Sequence, residues 1–171
     1  AAILACELIG MPDPVWQDLS QRISKELGIP VSNLILAGEH VHSAPSVGAY
    51  TKSSPKTIAY IAKLEDEAFE AVRQAKANLQ PARFGFGTGK AYVNINRREF
   101  FPKNGEWSLG YNPDGPSNKT VSVLKFESLS GKPIAVFINY SGHGVVMGPH
   151  NLEISGDLPG ATSTFVEQYY E

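Results

Sequence analysis

The amino-acid sequence predicts an α/β fold, a mixed sheet with helices packed on it. Three observations carry that prediction: two stretches repeat apolar residues at helical spacing, several apolar runs have strand length, and one segment alternates strictly between apolar and polar residues. The chain has 171 residues, 42% of them hydrophobic and 19% charged, with 16 Gly and 12 Pro. That is enough chain to bury a core without disulfides or structural metals, and enough turn-forming residues to connect many short elements.

Ala1-Ala2-Ile3-Leu4-Ala5-Cys6 reads as a buried strand. Asp13-Pro14 opens a helix, with Asp13 as its cap and Pro14 at the first helical position. Val15, Trp16, Leu19, Ile23 and Leu27 form its apolar stripe, and Gly28 and Pro30 end it. Residues 33–37 are an apolar run suited to a strand buried on both faces. A second helix opens at Ser54-Pro55 and carries Ile61, Leu64, Ala68, Val72, Ala75 and Leu79 on one stripe before Pro81. Residues 91–96 alternate in the manner of a strand that ends at Arg97-Arg98, and on such a strand Arg97 and Arg98 point to opposite faces. Residues 120–126 and 133–140 read as a hairpin joined through 128–131, and residues 162–171 as a closing helix. No repeat or linker divides the chain. It starts abruptly in a strand and ends within a helix, so upstream and downstream sequence is expected to be missing.

Composition also excludes functions. With 15 Lys and Arg against 17 Asp and Glu, and neither sign forming a run of about five or more, the chain lacks the electrostatic footprint of a nucleic-acid binder. Its longest apolar stretches fall far short of the roughly 20 residues of a membrane helix. The lone Cys6 can form no internal disulfide.

All four histidines lie in two short segments, His40 with His42 and His143 with His150, and each segment follows an apolar run. On an extended backbone residues i and i+2 point the same way, so His40 and His42 can enter one site at the end of a strand. Neutral imidazole is a common zinc ligand, and a catalytic zinc keeps about three protein ligands plus a water. His40 and His143 are the candidate ligands. A strand-end histidine is equally at home as a hydrogen-bonded surface residue.

The segments Glu39-His40-Val41-His42-Ser43-Ala44-Pro45, Asn94-Ile95-Asn96-Arg97, and Asn139-Tyr140-Ser141-Gly142-His143 with Asn151 and residues 154–160 following, resemble the neutral/alkaline non-lysosomal ceramidase family. In that family the first segment reads H-T-H-S-G-P, the second ends in N-R, and the third is an N-Y-x-x-H run followed by D-[YF]-x-G. Order and spacing agree over nearly the whole chain, with Val41 in place of Thr and Ala44 in place of Gly.

The resemblance implies a zinc-dependent hydrolase that cleaves the amide of ceramide or a related N-acyl lipid with a metal-activated water. It implies that His40 and His143 bind zinc, that His42 stabilises or protonates the reacting amide, and that Arg97 anchors a polar group of the substrate. It further implies that a Glu and a Tyr from sequence absent here complete the metal shell. The chain is then part of a larger catalytic domain and inactive alone. Contact with a membrane surface and a secreted, periplasmic or cell-surface location follow from the same resemblance.

Asp157 has two readings, a partner that orients a metal-binding imidazole or the N-cap of the closing helix, and His150 reads as a loop residue. Other functions compete. A non-catalytic member that binds a lipid or glycan would keep the fold without the metal, and an amidase could act on a different N-acyl substrate. Ser141-Gly142-His143-Gly144 also resembles the histidine segment of caspase-like cysteine peptidases, but those need a Cys after the His, and Cys6 lies far upstream. No G-x-S-x-G elbow supports a serine hydrolase.

Overall fold

In the computed structural model, which describes residues 1–48 and 54–170, the chain divides into two compact units. Ala1–Gln80 with Gly144–Tyr169 form the first, and Pro81–His143 form the second.

In the first unit, strands β1 (Ala2–Cys6) and β2 (Leu34–Gly38) pair in parallel, with Ala2 opposite Leu34 and Cys6 opposite Gly38. Leu34 and Leu36 are buried, while Ile35 and Ile3 are 58% and 54% exposed. The expectation of strands buried on both faces is therefore corrected, because α1 (Asp13–Leu27) and α2 (Pro55–Ala77) supply one apolar layer to this pair. Leu19 and Ile23 of α1 meet Ala68, Phe69 and Val72 of α2 over Leu34 and Leu36.

A second cluster joins Leu8, Val15, Val47 and Ile61. The apolar stripes predict these contacts, since residues three and four apart share a helix face. Pro12, not Asp13, is the N-cap of α1; Asp13 sits in the first turn, where its charge suits the helix dipole. At the other end Gly28 adopts φ 66°, a left-handed cap that costs glycine little. The Ser54 hydroxyl caps α2 by accepting the Thr57 N–H at 3.2 Å. Helix α3 (Asp157–Tyr170) begins earlier than residue 162.

The second unit holds two antiparallel sheets. One has the order β3 (Ala82–Lys90), β6 (Thr120–Ser128), β7 (Pro133–Tyr140); the other pairs β4 (Asn96–Phe101) with β5 (Glu106–Asn112). The β6–β7 hairpin is the one expected. Strand β3 was not foreseen, because its aromatic alternation at Phe84 and Phe86 is diluted by intervening glycines, which weaken a strand pattern. The strand expected at 91–96 is absent, and β4 starts only at Asn96. The backbone there is held by side chains and a loop instead of a neighbouring strand. Asn94 N–H donates to the Tyr140 hydroxyl at 3.3 Å, that hydroxyl donates to the Ala91 carbonyl at 3.1 Å, and the Ala91 N–H donates to the Lys119 carbonyl at 2.9 Å.

Candidate functional site

The H-x-H segment leaves the end of β2 in the first unit. Val41 is fully buried while His40 and His42 are exposed, so the two imidazoles share a side, as the i, i+2 spacing predicts. The route differs from an extended strand. His40 has φ 63°, in the left-handed region, and its ring stands edge-on to that of His42 with centroids 5.1 Å apart.

A ring nitrogen of His40 is assigned by its partner. Nδ1 lies 2.9 Å from the Ile9 carbonyl, which can only accept, so Nδ1 carries the proton and Nε2 the lone pair. That is the arrangement in which a backbone carbonyl orients a metal-ligating histidine. Ile9 acts here through its backbone, which leaves no trace in the side-chain sequence.

Two loops hold the segment in place. His42 N–H donates to the Gly144 carbonyl at 2.8 Å, and Val41 and Gly144 form a parallel bridge. A Cβ on Gly144 would lie 2.9 Å from the His40 carbonyl oxygen and 3.2 Å from the Val41 Cα, so only glycine permits this approach. On the other side Ser155 N–H donates to the Ser43 carbonyl at 3.2 Å and the Asn151 amide reaches the Ser43 hydroxyl at 3.3 Å.

Asp157 joins these loops. Its carboxylate accepts the N–H groups of Val146 at 3.1 Å, Met147 at 3.0 Å and Leu158 at 2.6 Å, and its own N–H donates to the Ser155 hydroxyl at 3.0 Å. It therefore caps the first turn of α3 and also clamps the loop just beyond Gly144. Burial pushes the Asp157 carboxyl up, but the N–H groups of Met147, Leu158 and Val146, and then the charge of His42, outweigh it and hold the group below its ordinary range. Glu39 shifts the other way, raised first by burial and then by the charge of Glu7. Burial, followed by the charge of Glu39, raises the Cys6 thiol, which suits an inert core residue. His150 lies in an exposed turn.

His143 ends the second unit and is joined by its peptide bond to Gly144. Within that unit Arg97 donates to His143 Nδ1, which must therefore present its lone pair. Both residues line an open cleft of about 490 Å³, together with Asn94, Asn96, Arg98 and Asn118. The Asn94 amide donates to the Asn118 carbonyl at 2.8 Å and the Ser141 carbonyl at 2.5 Å, so it serves to shape the cleft wall.

Along β4 Arg97, Glu99 and Phe101 are half-buried while Arg98 and Phe100 are exposed, the alternation expected of Arg97 and Arg98; the register shift between Asn96, opposite Asn112, and Arg98, opposite Leu109, places the extra residue on β5.

The family model for neutral/alkaline non-lysosomal ceramidase, N-terminal, matches residues 4–171. Neutral ceramidases B and A of Dictyostelium discoideum are 29% identical over 143 residues and 28% identical over 161 residues, covering 80% and 91% of this chain and 20% and 22% of theirs. Neutral ceramidase 1 of Arabidopsis thaliana is 28% identical over 151 residues, 81% of this chain and 19% of that protein. The chain thus spans about a fifth of the length of these relatives. Among solved structures, neutral ceramidase from Pseudomonas aeruginosa matches with a TM-score of 0.74 at 22% identity, over 99% of this chain and 28% of that one. A ceramidase complexed with C2 matches with a TM-score of 0.77 at 23% identity, over 99% and 27%. At these identities the solved structures establish a shared α/β fold.

Proposed function

Since the chain belongs to the neutral/alkaline non-lysosomal ceramidase family, we propose that the protein containing it is a zinc-dependent hydrolase of the amide bond in ceramide or a related N-acyl lipid. The observation that carries the reading is the His40 tautomer: Nδ1 is committed to the Ile9 carbonyl, so the metal-ligating lone pair sits on Nε2. In His143 the Nδ1 lone pair is taken up by the donor Arg97 and becomes a ligand for a metal once Arg97 releases it. Imidazoles suit zinc, and by the family's sequence pattern His40 and His143 are the ligands this chain would supply.

Zinc, when bound, supplies a Lewis acid that polarises the amide carbonyl and acidifies water to a pKa of about 7. The chain supplies the rest of the chemistry assigned to it here. His42, beside His40, delivers a proton to the departing amine, which leaves as the fatty acid forms. Arg97 exchanges its bond to His143 for a polar group of the substrate. Residues 1–171 alone are proposed to be inactive, and the whole protein to work outside the cytosol or at a membrane surface. Among the described residues no helix is long and apolar enough to cross a membrane.

The test is elemental analysis of the full-length protein with a parallel ceramide hydrolysis assay. One zinc per chain in the wild type, lost in both His40→Ala and His143→Ala with the fold retained and activity abolished, is expected. A metal-free wild type, or zinc-loaded protein that binds ceramide without cleaving it, would replace this reading with a lipid-binding role.

A further inference from the structure

Arg97 lies in β4 and His143 follows β7, and these strands belong to different sheets. Something other than strand pairing must therefore set the distance between the guanidinium and the imidazole it touches.

Asn94 stands three residues before Arg97, and each of its polar groups is used. Its N–H donates to the Tyr140 hydroxyl at 3.3 Å, and its side-chain amide donates to the Ser141 carbonyl at 2.5 Å and the Asn118 carbonyl at 2.8 Å. Lys119 Nζ donates to both of its acceptors, the backbone carbonyl and, at 2.9 Å, Oδ1. Tyr140 and Ser141 lead into His143, so one residue ties the segment carrying Arg97 to the segment carrying His143.

Apolar packing does not supply this tie. Tyr92, Val93 and Ile95 are 72%, 68% and 40% exposed, and side chains left in water contribute little to holding a backbone in place. The ammonium of Lys119 instead strengthens the polar brace. A cation on Oδ1 polarises the amide and makes its N–H groups better donors to Ser141 and Asn118. Aspartate would have the same shape and would keep Lys119, but it sets an oxygen where two donors are needed.

We propose that Asn94, backed by Lys119, is a positioning residue of the hydrolytic site. It fixes the spacing of Arg97 and His143, so that Arg97 reaches the imidazole in the resting protein and stays beside it when it turns to the substrate. This rests on the hydrolase reading above and adds to it a residue that acts through its neighbours and not on the reacting amide.

The test uses the full-length protein and the isosteric Asn94→Asp. Losing two donors and facing an oxygen to two carbonyls should lower kcat/KM for ceramide hydrolysis by about ten- to a hundred-fold. Because the effect runs through Arg97, it should shrink to less than about three-fold when Asn94→Asp is added to Arg97→Ala. An independent effect on the fold would multiply with that of Arg97→Ala and would overturn the proposal.

A second readout needs no activity. In chelator-treated protein carrying nitrogen-labelled histidine, the His143 Nδ1 resonance is assigned by its loss in His143→Ala. In Asn94→Asp it should move to the position it takes in Arg97→Ala, as the guanidinium leaves the ring. Lys119→Met keeps the side-chain stem and removes the charge; it should move the resonance the same way by a smaller step, and it decides the matter if Asn94→Asp does not fold. A His143 resonance unchanged from wild type in either folded variant overturns the proposal. If the protein cleaves no ceramide but the resonance moves as expected, the brace stands while the hydrolase reading falls.

Discussion

Replacing Asp157 by Asn removes the charge from a buried carboxylate that accepts three backbone N–H groups. The amide keeps one acceptor oxygen and turns an NH2 donor towards an N–H donor. Hydrogen bonds to charged groups contribute about 1.5–3 kcal/mol net, and a buried donor left unpaired costs a similar amount, so the loss expected is about 3 kcal/mol. Asn tolerates the φ of 51° at this position, which keeps the substitution free of added backbone strain; Ala would add about 1–2 kcal/mol.

The loss falls on the loop that carries Val146 and Met147. Native-state hydrogen exchange on the full-length protein should therefore show these two amides exchanging about 100-fold faster in Asp157→Asn, since each 1.4 kcal/mol is a factor of ten. Because the same loop begins at Gly144, bonded to His42, zinc affinity should fall by about ten-fold.

The pH dependence has a definite sign. The folded-state pKa of Asp157 is depressed, so its stabilisation is complete above the unfolded value of about 3.9 and disappears as pH falls through the lower folded value. The stability gap between wild type and Asp157→Asn should accordingly shrink below about pH 4. Unchanged exchange at Val146 and Met147 in a folded variant, or a gap that widens with acid, would refute the clamp.

Gly144→Ala places a Cβ against the His40 carbonyl and Val41 Cα; the two backbones must separate, and zinc content measured after dialysis should fall even though no ligand is removed. Ile61→Ala empties a fully buried position between α2 and the Leu8, Val15 and Val47 cluster. It should cost about 2–4 kcal/mol in a denaturant titration while leaving the zinc stoichiometry of the folded fraction intact.

Helices α1 and α2 and the β6–β7 hairpin were legible because their signals are local. Periodicity of 3.6 or 2, a capping Ser54, a stopping Gly28 and a short Gly131 turn all act within a few residues. The H-x-H spacing was legible for the same reason. Val41, buried between exposed His40 and His42, points where alternation puts it. What failed was whatever depended on a distant partner. Residues 91–95 alternate like a strand but give their backbone to the Tyr140 hydroxyl and the Lys119 carbonyl, while glycine-diluted β3 pairs along its whole length with β6.

The sequence by itself determined the α/β class, the two long helices and the identity of the histidines and arginine on which the proposed chemistry rests, since side-chain type and short-range spacing are written in it directly. Tertiary structure decided how those residues are used. The Ile9 carbonyl selects the His40 tautomer, Gly144 lets a second segment approach the first, Asp157 ties the loops together, and Arg97 is held on His143. Each of these depends on backbone groups or on pairings between residues far apart in the chain, and neither kind of interaction leaves a periodic mark in the order of side chains.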